Sequence, residues 1–179
     1  GKRGATSLLA TMLTKDTRRH SAAAVAQRIE ALGGSFYPFS GNNSVGLAVE
    51  VLPSDALCGL EVLSEAVLEP AFKAATLEIE REAQVAGLQQ DADDVVTFGR
   101  KRLRERFFGA YPLAIDAQGD IAGVQAITRG DLVEMHRRIV TASNVVLAVA
   151  GDFSAKSLVP KLRAFLGKLR RGASPAAAE

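Results

Sequence analysis

Apolar residues fall at helical spacing from the start of the chain. Leu8, Leu9, Met12 and Leu13 predict a short buried helix, and Lys15-Asp16-Thr17 ends the apolar run. Arg18-Arg19-His20-Ser21 leads into a second helix, with Ser21 as its N-cap. That helix carries Ala24, Val25, Ile29 and Leu32 on one side and stops at Gly33-Gly34. The pattern then changes period. Val45, Leu47, Val49 and Val51 alternate with Gly46, Ala48 and Glu50, which predicts a strand with one apolar face. With Ser35 to Ser40 and the turn residues Gly41-Asn42-Asn43 before it, the region predicts a hairpin-like pair.

Pro53 ends the second strand, and Ser54-Asp55 reads as the start of a helix over Ala56 to Val67, with Leu57, Leu60, Leu63 and Val67 inward. Glu69-Pro70-Ala71-Phe72 is a break. A long helical region starts near Thr76, with Leu77, Ile79, Ala83, Val85 and Leu88 as its apolar positions and Asp91 to Asp94 as a polar interruption. Val95 to Phe108 continues as helix. Phe98, Leu103, Phe107 and Phe108 are expected on its buried side, with the run from Arg100 to Arg106 as its solvated back. Asp116 to Gly123 reads as a loop, and Thr128 caps a helix that carries Val133, His136 and Ile139. The continuous apolar run Val145 to Ala150 predicts a central strand. Ser157 to Leu169 predicts a closing helix with Pro160 near its first turn. Residues 1–171 form one domain, and 172–179 read as a linker or tail.

Composition narrows the function classes. At 179 residues, 47% of them hydrophobic, the chain can bury a core. A net charge of +2 does not point to nucleic acid, and the Arg-rich run is accounted for as a helix back, so no nucleic-acid partner is expected. No apolar run reaches transmembrane length, and no signal peptide opens the chain. The one cysteine, Cys58, lies among apolar residues and reads as a small core residue. Of the two histidines, His136 has no ligand-type neighbour three or four positions away. His20 has Asp16 four before it, but in a turn. Neither reads as a zinc ligand.

Several short stretches, in order along the chain, resemble the pitrilysin/insulinase-like zinc peptidases. They are Met12-Leu13-Thr14-Lys15-Asp16-Thr17, Arg18-Arg19-His20-Ser21, Glu30-Ala31-Leu32-Gly33-Gly34, Glu69-Pro70-Ala71-Phe72, Gly109-Ala110-Tyr111-Pro112, Ile127-Thr128-Arg129-Gly130-Asp131-Leu132 and Asn144 through Gly151-Asp152-Phe153. Active members carry His-x-x-Glu-His in the first helix. Its two histidines, one turn apart, hold zinc, and the glutamate activates the bound water. In this frame those positions are Ser7, Ala10 and Thr11. A third ligand, a Glu, comes from a later helix in active members. The matching stretch Glu80 to Leu88 keeps Glu80 at an auxiliary acidic position but places Gly87 at the ligand position.

The resemblance implies an α+β fold, an antiparallel or mixed sheet with helices packed on one face. It also implies strands ahead of the first helix, so the chain is expected to be N-terminally truncated, leaving a sheet edge or apolar surface that the complete protein covers. It implies no catalytic residue, metal ligand or cofactor in this chain, with zinc only in a catalytic partner half, in the same or a separate chain. The expected role is a non-catalytic domain of a bipartite zinc metallopeptidase that helps enclose an unfolded peptide. The alternative is a degenerate assembly module of the same fold, with no part in proteolysis.

Overall fold

The structure, a computed structural model, describes residues 2–172. The expected tail lies, except for its first residue, outside the described residues. The elements follow in the order α1 (Ala5–Leu13), α2 (Ala22–Glu30), β1 (Ser35–Ser40), β2 (Val45–Glu50), α3 (Ala56–Leu68), α4 (Ala74–Asp93), α5 (Val95–Phe108), α6 (Ile121–Gln125), α7 (Arg129–Ile139) and α8 (Ala155–Leu166). The fold is α+β. Its sheet, among the described residues, is the antiparallel hairpin β1–β2, with Phe36 opposite Val49 and Pro38 opposite Leu47.

α1 is the hub, and its sequence explains why. Leu8, Leu9 and Met12 are fully buried, and Leu13 is nearly so. They pack with Phe72, Leu77, Leu88, Val124, Ile127 and Leu132 into the main core, and Leu47 of β2 packs against the same cluster. Each such side chain removed from water contributes roughly 1.5–3 kcal/mol. A second, smaller core joins Val25 and Ile29 of α2 to Val62 of α3, beside Phe36 and Val49.

The local stop and start signals work as the sequence implies. The Ser21 hydroxyl accepts from the Ala24 amide at 3.3 Å. α2 ends with Gly33 at φ +61°, a left-handed position that suits glycine, and the Gly34 amide reaches back to the Ile29 carbonyl. Thr128 and Asp131 form a reciprocal capping box on α7. Asp94 both ends α4 and caps α5, accepting from the Thr97 amide at 2.6 Å.

Six expectations are corrected. On α3 the buried residues are Gly59, Val62 and Ala66, while Leu57 is exposed. The helix has two apolar stripes, and the one with small residues faces the hairpin. A Cβ on Gly59 would lie 3.0 Å from a methyl of Val51, so close approach chose the face. No side chain caps α3; a 3-10 turn over Pro53–Asp55 feeds into it instead. α5 has no buried residue, and its Leu103 and Phe107 are exposed. Val145 to Ala150 forms no strand, and Val146 is 92% exposed. α8 starts at Ala155, so Pro160 lies inside the helix and not in its first turn. Ile79, expected among the apolar positions of α4, is exposed as well.

The break after α3 is held under strain. Phe72 is buried with φ +48°, unusual for a bulky residue. Its carbonyl accepts from Arg129 Nε at 2.8 Å, and its ring meets His136 edge-on at 5.7 Å. These contacts hold a conformation that costs of order 1–3 kcal/mol.

Candidate functional site

α1 and α4 pack against each other, and a cavity of about 340 Å³ opens between them. Ser7 and Thr11, one turn apart on α1, line one wall. Glu80, Gln84, Gly87 and Asp91 on α4 line the other, and Gln118 from the loop before α6 closes an end. Four positions singled out in the sequence, Ser7, Thr11, Glu80 and Gly87, therefore face one small volume. Ala10 is buried and is not part of the lining.

The polar groups of the cavity are largely committed. The Ser7 hydroxyl donates to Gln118 Oε1 at 2.9 Å. Gln84 Nε2 donates to the carbonyls of Gln118 and Gly4, at 2.8 and 3.2 Å. This pins the loop onto the N-terminus of α1. Glu80 pairs with Lys15 at 2.9 Å, and Asp91 pairs with Lys101 at 2.9 Å. A Cβ built on Gly87 meets nothing within 4 Å, so the α4 wall is open where a side chain could project.

Zinc asks for imidazole, thiolate or carboxylate donors converging on one point. Ser7, Thr11 and Gly87 offer two neutral hydroxyls and no side chain, and the two carboxylates of the α4 wall, Glu80 and Asp91, are each paired with a lysine. Among the described residues no cluster of three His, Cys, Asp or Glu side chains is placed to hold a metal. The residues present do not fit zinc.

The histidines serve elsewhere. His20 Nδ1 lies 2.7 Å from Glu65 Oε1, in a part-buried cluster where Thr17 also donates to Glu65 and Arg28 donates to it at 3.2 Å. Burial works to raise the Glu65 carboxyl pKa, but the hydrogen bonds from Thr17, His20 and Arg28 outweigh it and hold the group below the usual range. His136 donates from Nε2 to the Val67 carbonyl at 2.8 Å. Burial lowers its pKa, and Arg170 and Arg137 add to the effect against the opposing Val67 bond. A larger cavity of about 480 Å³ runs beside His20 and Glu65 to Phe165 and Lys168, and shares no lining residue with the first.

Sequence reasoning missed Gln118, Glu65 and the buried role of Asp16. Each acts on residues far away in the chain. The one local signal was Asp16 itself, an acid in the Lys15-Asp16-Thr17 turn that ends the apolar run of α1.

Residues 1–116 match the family model described as Insulinase (Peptidase family M16), and residues 126–178 match the Peptidase M16 inactive domain. An uncharacterized zinc protease of Mycobacterium tuberculosis is 29% identical over 175 residues, covering 97% of this chain and 40% of the relative. A probable mitochondrial-processing peptidase subunit beta of Arabidopsis thaliana is 27% identical over 169 residues, 93% of this chain and 31% of the relative. The crystal structure of a peptidase M16 inactive domain from Pseudomonas fluorescens superposes with a TM-score of 0.88 at 25% identity, covering all of this chain and 44% of that one. The chain thus spans about 40% of the length of the first of these relatives.

Proposed function

We propose that this chain, which belongs to the insulinase family of peptidases, family M16, is a non-catalytic domain of a two-part zinc peptidase. It contributes wall and shape to a chamber for unfolded peptide. The zinc and the water-activating base belong to a catalytic half, in the same polypeptide or a companion subunit.

One observation carries this reading. The α1–α4 cavity is built from the elements that would present the metal site, yet its wall positions are Ser7, Thr11 and Gly87. The packing of the two helices is kept by the core residues Leu8, Met12, Leu77 and Leu88, none of which is a ligand. Loss of ligands with retention of the scaffold fits a domain selected for shape and pairing. The match of residues 126–178 to an inactive-domain model supports the same reading.

The test is co-purification with a companion bearing an intact His-x-x-Glu-His, followed by metal analysis and peptide hydrolysis. The expected result is one zinc per assembled pair, hydrolysis by the pair, and neither zinc nor hydrolysis with this chain alone. One tightly held zinc in this chain alone, with peptidase activity, would overturn the proposal. Assembly with no effect of this chain on hydrolysis would favour a purely structural module.

A further inference from the structure

α5 is turned inside out relative to its sequence pattern. Its half-buried face is Thr97, Lys101, Arg104 and Phe108. Polar bonds fix that choice. Arg104 donates to the carbonyls of Leu113 and Ile115 and to Asn42 Oδ1, at 2.8, 3.1 and 2.7 Å. Lys101 pairs with Asp91 and Asp116, at 2.9 and 3.0 Å. The opposite face carries Val95, Val96, Gly99, Leu103 and Phe107, which at 3.6 residues per turn occupy an arc of roughly 120°. Val95 is 83%, Leu103 68% and Phe107 78% exposed. An apolar stripe of that width is what a helix ordinarily buries.

The flanks of the stripe specify what covers it. Arg102 borders one side and Arg100 the other, and Arg106 falls within the arc at one edge, beside the line of Val95 and Gly99. Among the described residues Arg106 has no carboxylate within ion-pair distance, Arg100 has none either but acts on Asp94 through its charge, and Arg102 is met by Glu105 of its own helix. A second copy packed by a two-fold axis would bring the same arginines face to face, which is repulsive. Gly99 adds a notch in the middle of the stripe, where a Cβ would meet nothing within 4 Å. A fixed notch suits a protruding side chain of a packed partner, and a fluid lipid surface makes no use of it.

We propose that this face of α5 is the surface by which the domain packs against another domain of its own peptidase assembly, one that presents apolar side chains rimmed by carboxylates. The proposal rests on the paired-half reading above.

The test uses the assembled peptidase carrying Leu103→Cys in a Cys58→Ser background, and reads the rate of maleimide labelling against the same thiol in urea. Leu103 points to solvent in this domain, so the substitution leaves the core intact. Protection of about tenfold or more is expected, as for a residue inside a water-excluding contact. Arg100→Glu with Arg106→Glu should abolish that protection. Assembly that persists with the thiol fully reactive would overturn the surface and leave the paired-half reading standing. Failure of any catalytic half to assemble would overturn both. Protection lost on dilution of this chain alone would assign the face to a second copy. Protection conferred only by phosphatidylglycerol vesicles would assign it to a membrane. Either result would overturn the proposal.

Discussion

Lys73 Nζ donates to Asp16 Oδ1 at 2.8 Å, tying the turn after α1 to the start of α4. Asp16 is nearly buried, its side chain 5% exposed, and it also accepts from the Thr76 hydroxyl at 2.5 Å and the Ala22 amide at 3.0 Å. One carboxylate therefore caps α2 and anchors α4. Its own backbone carbonyl accepts from Ala71, next to the strained Phe72. Asp16→Ala is expected to destabilise the chain by about 1–3 kcal/mol, the cost of leaving buried donors unmet; half-exposed Lys73 can rehydrate, which keeps the loss in that range. Urea unfolding at pH 7 measures it. A change below about 0.5 kcal/mol would show that the cluster contributes nothing.

The same group predicts an acid limb. Burial raises the Asp16 pKa, but the bonds from Lys73, Thr76 and the Ala22 amide outweigh burial and hold it below the usual carboxylate value. A folded pKa below the unfolded one means stability that is full above about pH 4 and is lost as pH falls through the folded pKa. Glu65 is depressed by its own hydrogen bonds and adds to the loss in the same window. Parent stability should fall steeply below about pH 4, and Asp16→Asn should flatten that limb. Equal slopes in the two proteins would remove Asp16 as a cause.

His136 predicts a separate limb at milder acidity. Burial against Phe72 lowers its pKa, so the unfolded chain binds the proton more readily than the folded one. Stability should therefore decline as pH falls below about 6.5, the ordinary imidazole value. His136→Phe loses the bond to the Val67 carbonyl and should be less stable than the parent at pH 7.5. The deficit should shrink at pH 5.5, because the variant has no proton to exclude. A deficit that stays constant across that range would contradict the assignment.

These clusters show what the sequence could and could not reveal. Elements set by local chemistry were legible: the buried run of α1, the Ser21 and Thr128 caps, the Gly33 stop and the turn at Gly41 to Ser44. Faces set by tertiary fit were not. α3 offers two apolar stripes, and only the hairpin's need for close approach at Gly59 selects between them. α5 has its apolar stripe turned outward because Lys101 and Arg104 find partners in the loop at 112–116. At the candidate site, the collinear frame singled out Ser7, Thr11, Glu80 and Gly87, which line one cavity. Gln118 was not, since its role depends on a loop 111 residues from Ser7.

Val145 to Ala150 shows the same limit in the backbone. Its composition is that of a central strand, yet among the described residues no backbone bond is made by the amides of Val146 to Ala150. An apolar segment whose backbone groups are unpaired is a candidate for strand addition. Hydrogen exchange should find these amides unprotected in the chain as a monomer, and protected once a further strand pairs with them in an assembly. Slow exchange in a monomer, with size confirmed by light scattering, would contradict the unpaired state.

The most direct probe of the cavity is to rebuild a metal site in it. Ser7→His and Thr11→His would place two imidazoles one turn apart on the α1 wall, and Gly87→Glu would add a carboxylate from the open α4 wall. Three ligands would leave a fourth position for water. Gly87→Glu removes a helix-interior glycine, worth roughly 0.5–1 kcal/mol in propensity, while the unpaired carboxylate works against folding until metal binds. Ser7→His also breaks the bond to Gln118, so the loop end of the cavity must give way. Ala10→Glu, which would replace the base, should destabilise by itself, because Ala10 is 1% exposed and outside the cavity lining. The triple variant is expected to bind one zinc per chain and to gain thermal stability with added zinc, while the parent does neither. Calorimetric titration and metal analysis after chelator washing measure both. A triple variant that folds but takes up no more zinc than the parent would show that Ser7, Thr11 and Gly87 do not stand where the ligands of an active relative would.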